Sequence, residues 1–174
     1  VCSSDLGQGT AGLEILGQLP DADYIVVPIG GGGLIGGLSA AVKEINPKVK
    51  VIGVEPALVP RYSESFKAGH PVSLDPNSKS VADALQTLRP GERNYPIIEK
   101  YVDKIVTVHE ENILKATKFL LTIGKLLAEI SSSITIGAVL QKAVEFEPED
   151  KVVFLISSGN IGIDQFNKFE NIDL

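Results

Sequence analysis

The chain has 174 residues, 44% of them apolar, with a net charge of −6 and a pI near 4.9. That length suits one domain or part of a larger one, and the acidity leaves no electrostatic footprint for nucleic acid. A single Cys excludes a disulfide framework and a Cys-rich zinc site. No apolar run reaches the roughly 18 to 20 residues that cross a bilayer, so the expectation is a cytoplasmic protein with no membrane partner.

The first six residues, VCSSDL, have no basic or apolar signal-peptide segment and no Met. They back-translate to the sequence of a common sequencing-library adapter. Residues 1–6 are therefore read as a non-native start, and 7–174 as part of a larger domain. Thr10–Leu19 reads as a helix stopped by Pro20. Tyr24–Ile29 reads as a buried strand, Leu34–Ile45 as a helix ended by Asn46-Pro47, and Lys50–Glu55 as the next strand. This β-loop-α-β unit implies neighbouring parallel strands with a right-handed crossover. Residues 56–95 read as irregular, with a short helix over Arg61–Ala68. A helix over Tyr95–Tyr101, a strand over Lys104–Val108 and a helix from Glu110 to about Ile123 follow. Lys125–Val144 reads as mostly helical, and Lys151–Ile156 as the last strand, ending in Ser157-Ser158-Gly159-Asn160. The alternation gives an α/β fold, an open, mostly parallel sheet flanked by helices. In such sheets ligands sit at the carboxyl ends of the strands, where Gly30–Gly33 and Ser157–Asn160 both fall.

Four consecutive glycines between a strand and a helix let backbone N–H groups close on an anion without Cβ clashes, with the helix N-terminus adding positive potential. A P-loop is excluded, because no Gly-Lys-Ser/Thr follows. A dinucleotide site remains open: Gly31-x-Gly33-x-x-Gly36 has the required spacing, and Glu55 ends the next strand where a ribose-binding acid would sit. A pyridoxal-phosphate site remains open too, since a phosphate monoester needs several N–H donors and little else. A tight turn with no ligand is the plain structural alternative. His70 and His109 read as surface residues, and the Glu110-Glu111 pair as acids at a helix start.

The segments GQGTAGLEI, VVPIGGGGLIGG, VKVIGVEP, VADAL, PGERNYPIIEKYVDKIVTV and SSGN, in that order, resemble the C-terminal half of threonine dehydratases and serine racemases. These are tryptophan-synthase β-like (fold-type II) pyridoxal-phosphate enzymes. The resemblance extends from Gly7 to about Phe166 and favours pyridoxal 5′-phosphate over a dinucleotide. It implies that Gly30, Gly31, Gly32, Gly33 and Leu34 form the phosphate cradle and that Ser157 hydrogen-bonds the pyridine nitrogen. Glu129, in GKLLAEISSS, resembles an acid near the cofactor. Glu55 resembles the first ligand of a cation site found in some members, but Arg61 stands where a second acid would complete it. A guanidinium neither ligates nor tolerates a cation, so no metal is expected.

Three departures fall near the expected pocket: Ala84 where the family often has Gly, Ile130 and Ser132 where it has small residues, and Ser158 where it has SGGN. The family's lysine that holds the cofactor aldehyde has no match here, so no catalytic residue is assigned and the chain alone is expected to be inactive. The resemblance implies a fragment of a threonine/serine ammonia-lyase that acts by β-elimination on a small amino-acid substrate and forms a homo-oligomer at full length. A serine racemase of the same fold and a noncatalytic phosphate- or dinucleotide-binding module are the alternatives.

Overall fold

The computed structural model describes residues 7–174; the suggested non-native start and Cys2 lie outside the described residues. Four strands, β1 (Tyr24–Pro28), β2 (Lys50–Pro56), β3 (Lys104–Val108) and β4 (Val152–Phe154), form one parallel sheet in the order β3-β2-β1-β4. Among the described residues six α-helices flank it: α1 (Gly9–Gln18), α2 (Gly33–Ile45), α3 (Arg61–Ala68), α4 (Asn94–Tyr101), α5 (Glu110–Thr122) and α6 (Ile130–Leu140).

Alternation along the strands assigns side chains to two layers. Ile25 and Val27 of β1 point to a layer holding Ile35, Leu38 and Val42 of α2 and Ile98 of α4. Val26 of β1, with Ile52 and Val54 of β2, points to the other layer, with Ile113 of α5 and Ile134 and Ala138 of α6. Both faces of β1 and β2 are covered along nearly their whole length, which is why these two strands read as continuous apolar runs. Gly53 of β2 makes room for Ile29, whose side chain lies where a Cβ would sit.

The expected helix over Lys125–Val144 is shorter than its composition suggests. Lys125 adopts φ +55°, and the N–H groups of Gly124 and Leu126 turn back onto the Phe119 and Leu120 carbonyls, closing α5. The chain then runs without regular secondary structure to Glu129, which is extended (φ −69°, ψ 156°) and from which α6 starts. Lys142, at φ +58°, follows the end of α6. The last strand is likewise shorter than the apolar run Lys151–Ile156: its register with β1 covers Val152–Phe154.

β1 lies between β2 and β4, so the connections depart from it in opposite directions. The gap between the β1 and β4 ends is the point where strand order reverses, and it opens a crevice. Gly30 follows β1 and Ser157 follows β4.

Candidate cofactor site

The crevice is a cleft of about 230 Å³ lined by Gly30, Gly31, Gly32, Gly33, Leu34 and Ser157, together with Ala84, Glu129 and Ser131. Residues distant in sequence thus line one cleft. Of the departures noted in the sequence, only Ala84 lines the cleft. Ile130 is 1% exposed and packs in the core instead.

The glycine loop lines the cleft. The N–H groups of Gly30 to Leu34 find no acceptor among the described residues. Its carbonyls are held from behind. Arg61 donates through Nε to the Gly30 carbonyl at 2.8 Å, through Nη1 to that of Val59 at 2.8 Å, and through Nη2 to that of Ile29. The Gly31 carbonyl accepts from Tyr62 Oη at 2.9 Å, Asn94 Nδ2 at 3.0 Å and the Gly91 N–H at 3.2 Å. With successive carbonyls fixed on the protein side, the loop forms a nest of free N–H groups beside the first turn of α2, whose N-terminal potential favours an anion. Gly32 has φ +97°, and a Cβ there would overlap the Tyr62 hydroxyl. The position therefore requires glycine on two separate grounds. The donor set is backbone only and suits a phosphate monoester.

Arg61 itself is fully buried, as is Glu55. The Glu55 carboxylate accepts from the N–H groups of Tyr62 at 3.0 Å and Ser63 at 2.8 Å. It thereby satisfies the open N-terminus of α3, where Pro60 offers no side-chain cap. Burial pushes the Glu55 carboxyl above the ordinary glutamate range, opposed by hydrogen bonds from Ser63 and Tyr62 and by the Arg61 charge. Burial likewise lowers the Arg61 guanidinium, while Glu55 draws it back up. Both Glu55 oxygens are thus engaged by backbone, and the neighbouring cation is covalently part of the chain. The residues around Glu55 do not fit a metal ion.

Ser157 is exposed at the far wall, with its Oγ 3.2 Å from Ser132 Oγ. Ser132 Oγ also accepts from the Ser158 N–H at 2.9 Å. Ser131 Oγ accepts from the Ala84 N–H at 3.0 Å and donates to Asp83 at 3.2 Å, which ties α6 to the loop over the cleft. Glu110 holds the same loop by accepting from Ser80 Oγ and, at 2.6 Å, the Val81 N–H. It therefore anchors a segment as well as serving as an acid at a helix start. His70 and His109 are exposed and do not line the cleft. Sequence reasoning missed Arg61, Tyr62 and Asn94 as supports of the loop, because backbone carbonyls leave no sequence signal of what will hold them.

A parallel α/β sheet with unpaired backbone donors on one side of a crevice and a hydroxyl on the other has the donor set that a phosphate-bearing cofactor requires. Residues 4–158 match the model of the family described as pyridoxal-phosphate dependent enzyme, and the chain belongs to that family. It is 41% identical over 165 residues to an L-threonine ammonia-lyase of Thermotoga maritima, covering 95% of this chain and 40% of that protein. Among solved structures it resembles the T.th. threonine deaminase, with a TM-score of 0.85 and 37% identity over 90% of this chain and 54% of that one. Maize serine racemase superposes with a TM-score of 0.84 at 31% identity, over 93% and 50% of the two chains. The chain spans less than half the length of the curated relatives it matches, from 39% to 49%.

Proposed function

We propose that this chain is the cofactor-phosphate-binding portion of a threonine/serine ammonia-lyase, which converts the amino acid to a 2-oxo acid and ammonia by β-elimination. The observation behind this reading is the convergence of Gly30–Leu34 and Ser157 on one crevice, in a chain whose curated relative is an L-threonine ammonia-lyase. In this reading the N–H groups of Gly30 to Leu34 bind the phosphate and the α2 N-terminus stabilises its charge. Ser157 meets the ring nitrogen. Pyridoxal phosphate supplies the conjugated ring that accepts negative charge when the α-proton leaves. A serine hydroxyl does not force protonation of that ring as a carboxylate would, so the sink is a mild one. The phosphate cradle and Ser157 would hold the ring between them, with Ala84 lining the cleft beside it.

The small amino-acid substrate, the cytoplasmic setting and homo-oligomerisation of the complete enzyme belong to the same proposal. No helix among the described residues is long and apolar enough to cross a membrane. The fold-level likeness to maize serine racemase supports a second reading, racemisation of the same substrates. The test joins residues 7–174 to the remaining portion of the Thermotoga maritima relative and assays the hybrid with pyridoxal phosphate. Release of 2-oxobutanoate from threonine is expected. No 2-oxo acid from threonine or serine rejects the lyase reading, and formation of the D-amino acid instead favours the racemase.

A further inference from the structure

Two of the sequence departures, Ser132 and Ser158, meet at one point beside Ser157. Ser132 lies within α6 and its side chain is fully buried. Its Oγ accepts from the Ser158 N–H at 2.9 Å and lies 3.2 Å from Ser157 Oγ. A hydroxyl carries one proton and two acceptor positions. With the Ser158 N–H occupying one acceptor position, the Ser132 proton still needs a partner, and Ser157 Oγ is the hydrogen-bond acceptor it has among the described residues. Leaving a buried hydroxyl proton unpaired is unfavourable. Ser132 is therefore the donor of the pair. Ser157, which is exposed and lines the cleft, accepts that hydrogen bond and keeps its own proton for the cleft side.

We propose that Ser132 is a positioning residue that sets the proton polarity of Ser157, so that the Ser157 hydroxyl faces the cleft as a donor suited to an unprotonated pyridine nitrogen. The chain of donors runs Ser158 N–H to Ser132 Oγ–H to Ser157 Oγ–H to the ring. This inference rests on the pyridoxal-phosphate reading of the cleft. Without Ser132, the Ser157 hydroxyl is free to turn and to accept from a protonated ring as readily as it donates to a neutral one. Ser132 thus selects between two ring states without touching the ring.

The test uses the chain with Ser132→Ala and Ser132→Thr, the latter restoring a hydroxyl. In the first arm, without cofactor, hydrogen exchange of the Ser158 amide is measured. At least a tenfold acceleration in Ser132→Ala, largely reversed in Ser132→Thr, is expected; equal exchange in all three chains overturns the hydroxyl chain. In the second arm, pyridoxal phosphate labelled with 15N in the ring is bound at about pH 7. The wild-type resonance is expected at the neutral-pyridine position, moving toward the pyridinium position in Ser132→Ala and returning in Ser132→Thr. The same resonance in wild type and Ser132→Ala overturns the proposal. If the wild-type chain binds no labelled cofactor, the cofactor reading itself fails, while the exchange arm still reports on the hydroxyl chain.

Discussion

Arg61 holds the Gly30 carbonyl through Nε at 2.8 Å, from a position with no solvent exposure. The same guanidinium reaches the carbonyls of Ile29 and Val59, so one side chain orders the end of β1 and the start of the glycine loop. Arg61→Met leaves three carbonyls without a donor and Glu55 without its neighbouring charge. The expected cost is roughly 3–5 kcal/mol of stability, with pyridoxal-phosphate affinity falling at least tenfold as the cradle loosens. Arg61→Lys keeps the charge but loses the planar fork, so an intermediate loss is expected. Chemical denaturation and fluorescence titration with the cofactor check both.

Gly32→Ala tests the cradle at its tightest point. The substitution forces an L-residue to φ +97° and drives its Cβ into the Tyr62 hydroxyl, which itself holds the Gly31 carbonyl. A destabilisation of about 2–4 kcal/mol is expected from strain and overpacking together. Binding of inorganic phosphate is expected to disappear even at temperatures where the variant is folded. Gly31→Ala is the control: its Cβ would meet nothing closer than the Thr87 methyl at 4.0 Å. Its melting temperature is expected to stay near that of the wild type.

Asp103 gives the fold an acid-sensitive clasp. It accepts from the Val51 N–H at 2.8 Å and pairs with Lys43 at 2.7 Å and Lys50 at 3.2 Å, joining α2 and β2 to the start of β3. Partial burial raises its carboxyl, but Lys43, the Val51 N–H and Lys50 outweigh it and hold the group below the ordinary aspartate range. A depressed folded value means the stabilisation is complete above the unfolded value, near 4, and is lost as pH falls through the folded one. Asp103→Asn is expected to cost about 1 kcal/mol near pH 7, discounted for solvent screening, and to flatten the acid limb of the stability curve below about pH 5. An unchanged acid limb in urea melts across that range contradicts the assignment.

Much of this site was legible in the sequence. A strand, four glycines and a helix dictate a backbone cradle, since no other residue tolerates a loop with Gly32 at φ +97° packed against Tyr62. The order of segments led from that cradle to Ser157, and the adjacency of β1 and β4 brings the two together. Other features left no such trace. Lys125 follows α5 with a positive φ that its residue type does not announce, so a stretch read as mostly helical opens on a non-helical segment ending at Glu129. Glu55 resembled a cation ligand because an acid at a strand end has several uses. Its partners, two N–H groups at the start of α3, emerge only when the loop from Pro56 to Pro60 folds back. Arg61 read as an obstacle to a metal, whereas its positive work is done on backbone carbonyls that carry no sequence identity. Ser132 read as an added side chain near the pocket. Its hydroxyl in fact lies one hydrogen bond behind the wall, against Ser157 and Ser158.

The proposed role of the Gly30 to Leu34 N–H groups is to hold the phosphate of pyridoxal phosphate, and every other proposed role at the cleft depends on it. Its sharpest test follows the backbone amide resonances of the 15N-labelled chain during titration with pyridoxal phosphate, inorganic phosphate and phosphate-free pyridoxal. The two phosphate-bearing ligands are expected to shift the Gly30–Leu34 amides together, while pyridoxal leaves them in place. Amides of Gly30 to Leu34 that ignore both phosphate ligands, or that respond equally to pyridoxal, are incompatible with a phosphate cradle at this loop.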